Sequence, residues 1–173
     1  PLIEIVTEPD ISSSEEAVRY LETLKSIVQY IQISTANMEE GSFRADVNIS
    51  VKLRSESKLG TRAELKNINS FKFIYNAIEY EIERQIGLVS SGSMVKQETR
   101  LWDSDANETV CMRSKEDAQD YKYLTDPDLP LILVDDDWIA RLSEQLPELP
   151  VARFERFCRE YDLSPYEADI LCS

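Results

Sequence analysis

The segment FRADVNISV, residues 43–51, alternates strictly between apolar and polar side chains. Phe43, Ala45, Val47, Ile49 and Val51 fall on one side. Arg44, Asp46, Asn48 and Ser50 fall on the other, because successive side chains of a strand point to opposite faces. The pattern returns after the turn at Leu59-Gly60, with Ala63 and Leu65 on one side and Arg62, Glu64 and Lys66 on the other. Two such strands require a sheet with one face packed on an apolar layer and one polar face.

Helical patterns supply the covering layer. Ser13 and Glu16 have capping-box spacing, and Ala17, Leu21, Leu24, Val28 and Ile31 then recur at helical intervals. Phe71, Ile74, Ile78, Ile82, Ile86 and Val89 carry a second helix that fades at Ser90-Ser91-Gly92. Residues 95–102 and 109–113 read as a hairpin around DSDAN (103–107), and residues 2–7 and 131–134 read as short strands. Asp135 to Asp137 can cap a helix over 138–146. Pro147 and Pro150 bracket a boundary, and two further helices follow at 151–161 and 165–171. The fold class expected is α+β, with a mainly antiparallel sheet and helices on one face. Residues 1–147 form that domain, and residues 148–173 are the truncated start of an α-helical one. Without an initiator Met, and ending inside a helical pattern, the chain reads as an internal fragment.

Composition removes several function classes. With no His, no imidazole base is available from this chain. Cys111, Cys158 and Cys172 are odd in number and far apart, so a disulfide framework or zinc site is not indicated. The four glycines form no phosphate loop, and no G-x-S-x-G elbow is present. A net charge of −14 disfavours non-specific binding to phosphate backbones. No apolar run approaches the roughly 20 residues needed to span a bilayer.

The polar strand faces are the sharpest chemical feature. Carboxylates bind Mg²⁺, and Arg and Lys bind phosphate oxygens, so Arg44, Asp46 and Asn48 beside Arg62, Glu64 and Lys66 suit an anionic ligand with its cation. A solvated face held by cross-strand ion pairs is the alternative. Glu4, inside the apolar run LIEIV, is either at a sheet edge or partnered, for instance by a metal. Glu39-Glu40-Gly41-Ser42 is an acidic loop before a strand, and Gln97 to Arg100 is a polar block on one. Tyr121 and Tyr123 around Lys122 either pin a surface loop or line the site.

The ordered blocks PLIEIVTEPD, NMEEGSFRADVNISV, GTRAELKNINSF, AIEYEIERQ, QETRLWD, MRSKEDAQDYKYLTDPDLP and PELPVARFERF resemble the B-subunit family of tRNA-dependent amidotransferases over essentially the whole chain. Phe43 and Ala45 stand where the family usually has Leu and Cys, and Leu124-Thr125 where it often has Phe-Pro. The resemblance implies a catalytic domain related to the glutamine synthetase and guanidino kinase fold. It implies ATP and Mg²⁺ as cofactors, and the A and C subunits and misacylated tRNA as partners. The expected setting is a bacterial cytoplasm or an organellar matrix, with no membrane.

The reaction so implied phosphorylates the side-chain carboxylate of Glu or Asp misacylated on tRNA. Ammonia from a glutaminase subunit then displaces phosphate. Such chemistry needs no histidine, because the first nucleophile is already ionised. Position in the blocks and strand facing give the roles expected. Glu4, Asp46 and Glu40 are metal ligands. Arg44, Lys66 and Arg100 clamp phosphate or carboxylate. Glu64 and Glu98 are metal-side or proton-accepting carboxylates. Asn48, Asn67, Asn69 and Ser42 orient the nucleotide. A non-catalytic tRNA-binding scaffold and a free-standing ligase of the glutamine synthetase class are the competing readings.

Overall fold

The computed structural model describes residues 2–114 and 128–172. The chain divides into two compact units, one of Pro1–Lys25 with Ala36–Asp117 and one of Ser26–Thr35 with Ala118–Ser173. Helix α1 (Ser14–Tyr30) begins in the first and ends in the second. Ser13 caps its start as the sequence predicts, its Oγ accepting from the Glu16 N–H at 3.1 Å, but the Glu16 carboxylate reaches back one residue further than in a capping box, to the Ser12 N–H at 2.7 Å.

The first unit holds a four-stranded sheet in the order β1 (Val47–Ile49), β2 (Ala63–Lys66), β3 (Glu98–Asp103) and β4 (Glu108–Ser114). Helix α2 (Phe71–Ser90) connects β2 to β3. The β1–β2 and β3–β4 pairs are antiparallel, and the middle pair, β2–β3, is parallel. The sheet is therefore mixed. A chain that leaves β2, runs through a long helix and returns beside it arrives in the same direction. The core lies between one face of this sheet and the helices. Leu65, Ile68, Ile74, Ala77, Ile78 and Trp102 are buried together, with Ala17, Val18 and Leu21 of α1 packed against them. Phe73 and Tyr80 close on the Trp102 ring at 6.4 Å each.

Alternation of exposure runs from Phe43 through Ile49 as the sequence predicts, but only Val47–Ile49 forms a ladder. The short partner β2 ends it, and the Gln85 side chain takes over: its Nε2 donates to the Ile49 carbonyl (3.2 Å) and its Oε1 accepts from the Val51 N–H (3.1 Å). Helix α2 also departs from the expected stripe. Its buried residues are Ile74, Ala77, Ile78, Glu81 and Gln85, whereas Ile86 and Val89 are exposed. Steps of four residues overshoot a 3.6-residue turn by about 40°, so the series Ile78, Ile82, Ile86 drifts off the core.

The strands expected at 2–7 and 131–134 do not form. Leu2, Ile3, Ile5 and Val6 are exposed, as are Leu131 to Val134. Apolar β-rich residues make a strand only with a partner for their backbone groups, and among the described residues neither segment has one. In the second unit, Asp135 caps α3 (Asp136–Gln145) by accepting from the Trp138 N–H at 2.7 Å. Helices α4 (Pro150–Glu160) and α5 (Pro165–Cys172) follow. Glu148 holds Arg156 through two contacts of 2.7 and 2.8 Å. No helix among the described residues is long and apolar enough to cross a membrane.

One glycine is required by close approach. A Cβ at Gly60 would lie 2.0 Å from the Val51 carbonyl oxygen, where the 51–60 loop returns to start β2. Backbone cannot yield as a side-chain tip can. Gly60→Ala is expected to cost about 1–3 kcal/mol, read as a lower denaturation midpoint; an unchanged midpoint would show that the loop gives way freely.

Candidate active site

The open face of the sheet carries a strip of charge. Asp46, preceding β1, and Lys66, on β2, form an ion pair. The Lys66 Nζ also lies 3.2 Å from Glu64 Oε1, and Glu64 Oε2 accepts a 2.8 Å hydrogen bond from Thr99 Oγ1 of β3. Register explains the grouping: Asn48 is opposite Glu64 across β1–β2, and Thr99 is beside Glu64 across β2–β3. The bond to Asp46, and then that to Glu64, hold the Lys66 ammonium above its ordinary pKa against the opposing effect of burial. Beyond Lys66 the face falls into an open depression of about 240 Å³ lined by Asn67, Leu101, Trp102, Asp103, Ser104 and Val110.

Glu98 and Arg100 do not join this strip. They stand in register with Ala63 and Leu65 and so point to the helix side. There Glu98 Oε1 accepts from Arg100 Nη1 at 2.6 Å and lies 3.3 Å from Arg84 Nη2. Arg84 grips Glu81 through Nε (2.9 Å) and Nη2 (2.7 Å), and Arg100 Nε lies 3.4 Å from Glu81 Oε2. Two carboxylates and two guanidiniums thus alternate around a closed ring. Gln85 and Thr109 each donate to Glu81 as well, at 2.8 and 3.1 Å. Glu81 is fully buried, which a charge tolerates only when paired and hydrogen-bonded in this way. Burial pushes the Glu98 carboxyl up, but bonds from the Cys111 thiol and Arg100 outweigh it and leave its pKa below the ordinary value. Donating that bond to Glu98 raises the pKa of the Cys111 thiol.

The remaining predicted site residues are dispersed. Arg44 Nε folds onto the Gly41 carbonyl at 3.2 Å. The Ser42 hydroxyl closes the 37–42 turn by accepting from the Asn37 N–H at 2.8 Å, and the Glu40 N–H donates to Asn37 Oδ1 at 3.3 Å in the same turn. Asn48 and Asn69 are exposed. Asn67, at φ 64°, donates its amide to the Trp102 carbonyl at 3.2 Å. Glu4 is exposed in an irregular segment rather than buried in a strand. Among the described residues no three His, Cys, Asp or Glu side chains form a group that could hold a metal, so Glu4, Glu40 and Asp46 do not form one. Tyr121, Lys122 and Tyr123 lie outside the described residues.

Sequence reasoning passed over Thr99, Glu81, Arg84, Gln85 and Thr109. A signal for two of them exists: extending the stripe of Ile74, Ala77 and Ile78 by 3.6-residue turns lands on Glu81 and Gln85, polar residues at core positions.

Comparison with known proteins agrees with the resemblance read from the blocks. A family model described as the GatB/GatE catalytic domain matches residues 1–140. The B subunit of the aspartyl/glutamyl-tRNA(Asn/Gln) amidotransferase of Paraburkholderia xenovorans is 52% identical over 173 residues, covering 100% of this chain and 35% of that protein. The protein of the same name from Trichlorobacter lovleyi is 53% identical over 173 residues, covering 100% and 36%. That from Prosthecochloris aestuarii is 54% identical over 171 residues, covering 99% and 36%. The chain thus spans about a third of the length of these relatives. A family model matching residues 1–140, with blocks in the family's order from end to end, leaves one assignment: the chain belongs to the GatB/GatE catalytic domain family.

Proposed function

We propose that this chain supplies the charged sheet face of an ATP-dependent amidation site acting on Glu or Asp misacylated on tRNA. The observation that carries the reading is the Asp46–Lys66–Glu64–Thr99 strip on the open face of a catalytic-domain sheet. Relatives named as amidotransferase B subunits supply the substrate class. The fold proposed for the complete domain is that of glutamine synthetase and the guanidino kinases, with a helical domain beginning near residue 148.

The residues present fit Mg²⁺ in one limited manner. Mg²⁺ commonly takes one or two protein carboxylates and completes its shell with water and substrate phosphate oxygens. Asp46 and Glu64 would be those carboxylates, since both already face one cation, Lys66. When bound, the ion would neutralise charge on the transferring phosphoryl group. Lys66 is an ammonium with three donors, able to keep a carboxylate while turning a donor toward an incoming anion. The depression beyond Lys66, with Leu101 and Val110 among its walls, offers an apolar surface to a nucleoside. Ammonia must lose a proton as it attacks the acyl phosphate, and the alternative role proposed for Glu64, in place of ligating the ion, is to accept that proton. Glu98 and Arg100 act from behind the sheet, as framework. An amidase subunit delivering ammonia, and a small third subunit, are the partners proposed.

The test uses the full-length protein assembled with its amidase subunit and supplied with misacylated tRNA, ATP, Mg²⁺ and ammonium. Release of ADP and phosphate that depends on the misacylated tRNA, with formation of the amide, is the expected result. Turnover on free glutamate without tRNA would establish a free-standing ligase instead. Steeply salt-dependent tRNA binding without ATP cleavage would establish a scaffold.

A further inference from the structure

Thr99 is fully buried, yet its side chain lies on the polar side of the sheet, with its hydroxyl on Glu64 Oε2 at 2.8 Å. Its two neighbours, Glu98 and Arg100, are both locked into the ion ring on the other side. A residue flanked by two anchored neighbours on a strand has little freedom to rotate, because the pleat fixes its direction opposite to theirs. The ladder reinforces this. The register of β3 against β4 shifts between Thr99 and Arg100, where Thr99 pairs with Arg113 and Arg100 pairs with Cys111. The extra residue, Met112, belongs to β4, so the pleat of β3 runs unbroken through Glu98, Thr99 and Arg100. Helix α2 holds the two neighbours from the other side, Arg84 against Glu98 and Glu81 against Arg100.

We propose that Thr99 is a positioning residue for Glu64, aimed by the buried Glu81–Arg84–Glu98–Arg100 ring behind it. This rests on the functional reading above, in which Glu64 faces the reacting groups. The hydroxyl donates to one carboxylate oxygen and Lys66 to the other, so the plane of the Glu64 carboxylate is fixed from two sides. Catalytic groups need such restraint from a supporting layer, since displacements near 1 Å at the reacting atoms cost large factors in rate. The ring contributes no group to the open face. Its effect reaches Glu64 only through the direction of Thr99.

The experiment compares Thr99→Val and Thr99→Ser in the full-length, partner-assembled enzyme, measuring misacylated-tRNA-dependent ATP cleavage with Glu64→Gln as reference. Thr99→Val keeps shape and removes the donor. It is expected to lower kcat about tenfold to a hundredfold with KM for ATP and for tRNA within about threefold. Thr99→Ser keeps the donor and is expected to stay within about threefold of wild-type kcat. A Thr99→Val enzyme with wild-type kcat overturns the proposal, as does a Thr99→Ser enzyme as impaired as Thr99→Val, since shape alone would then matter. A wild-type enzyme without tRNA-dependent ATP cleavage, or a Glu64→Gln enzyme with full activity, sinks the functional reading itself. Because an impaired Thr99→Val enzyme could also be misfolded, its thermal midpoint is read alongside. Loss of kcat with a midpoint within a few degrees supports positioning, and loss only in step with the midpoint overturns it.

Discussion

Arg100→Met destabilises the first unit by about 3–5 kcal/mol. Arg100 is largely buried and gives Nη1 to Glu98, Nε to Thr109 Oγ1 and Nη2 to the Thr109 carbonyl, with Nε also close to Glu81. Methionine fills comparable volume but offers no donor. Glu81 and Glu98 would then share Arg84 alone, two buried carboxylates on one cation, and the Thr109 carbonyl would lose a donor. The cost comes from the charge left behind more than from the contact removed. Removing Glu98 together with Arg100, as Glu98→Leu/Arg100→Met, restores neutrality around the Glu81–Arg84 pair. The double variant is therefore expected to lose less than the sum of the two single variants, by about 0.5–3 kcal/mol. Denaturation of this chain in a Trp138→Phe background, followed by fluorescence of the buried Trp102, reads the first unit. Arg54 sets the scale, because it is exposed in the 51–60 loop of the same unit; Arg54→Met should move nothing beyond about 0.5 kcal/mol. An Arg100→Met midpoint as close to wild type as that would show that the ring carries no stability.

The ring also marks where the sequence stops being legible. The strip of Asp46, Glu64 and Lys66 could be read because its strands alternate: apolar neighbours at 45, 47, 63 and 65 tell which face is dry, and the charges must take the other. Gln97 to Arg100 carries no such signal, since both faces of the block are polar. Parity places Glu98 and Arg100 together and Thr99 against them, but only the register with β2 decides which side meets the helices. That register runs parallel, and local patterning does not set it. Glu81 and Gln85 were hidden for a related reason, since a stripe traced by isoleucines at steps of four passes beside them. Glu4 fails differently. Its run of apolar residues has the composition of a strand, but strand formation depends on a backbone partner distant in sequence, which local patterning does not reveal. The hairpin around 103–107, the caps at Ser13 and Asp135 and the helix at 150–160 were legible because their causes are local.

On the function proposed above, Lys66→Met in the full-length, partner-assembled protein is expected to lower misacylated-tRNA-dependent ATP cleavage by about 10²- to 10³-fold. The bond to Asp46 and the contact with Glu64 raise its pKa, so the ammonium is charged throughout the working range. Replacing it removes the one ammonium that faces both Asp46 and Glu64 on a surface proposed to receive phosphate. Two effects then add in the same direction: anionic substrate meets two carboxylates that have lost this ammonium, and charge developing on the transferring group loses a donor held ready for it. Stability should hardly change, because the pair lies at the surface, with side chains 32% and 52% exposed, and such pairs are worth about 0–1 kcal/mol. That contrast with Arg100→Met separates the two faces of one sheet: loss of activity without unfolding on the open side, loss of stability on the helix side. Lys66→Arg should recover only part of the rate. It restores charge, but a planar fork does not fit a position where one ammonium sits between two carboxylates. A Lys66→Met enzyme within about threefold of wild type would remove Lys66 from the site and leave the strip as a cross-strand ion pair.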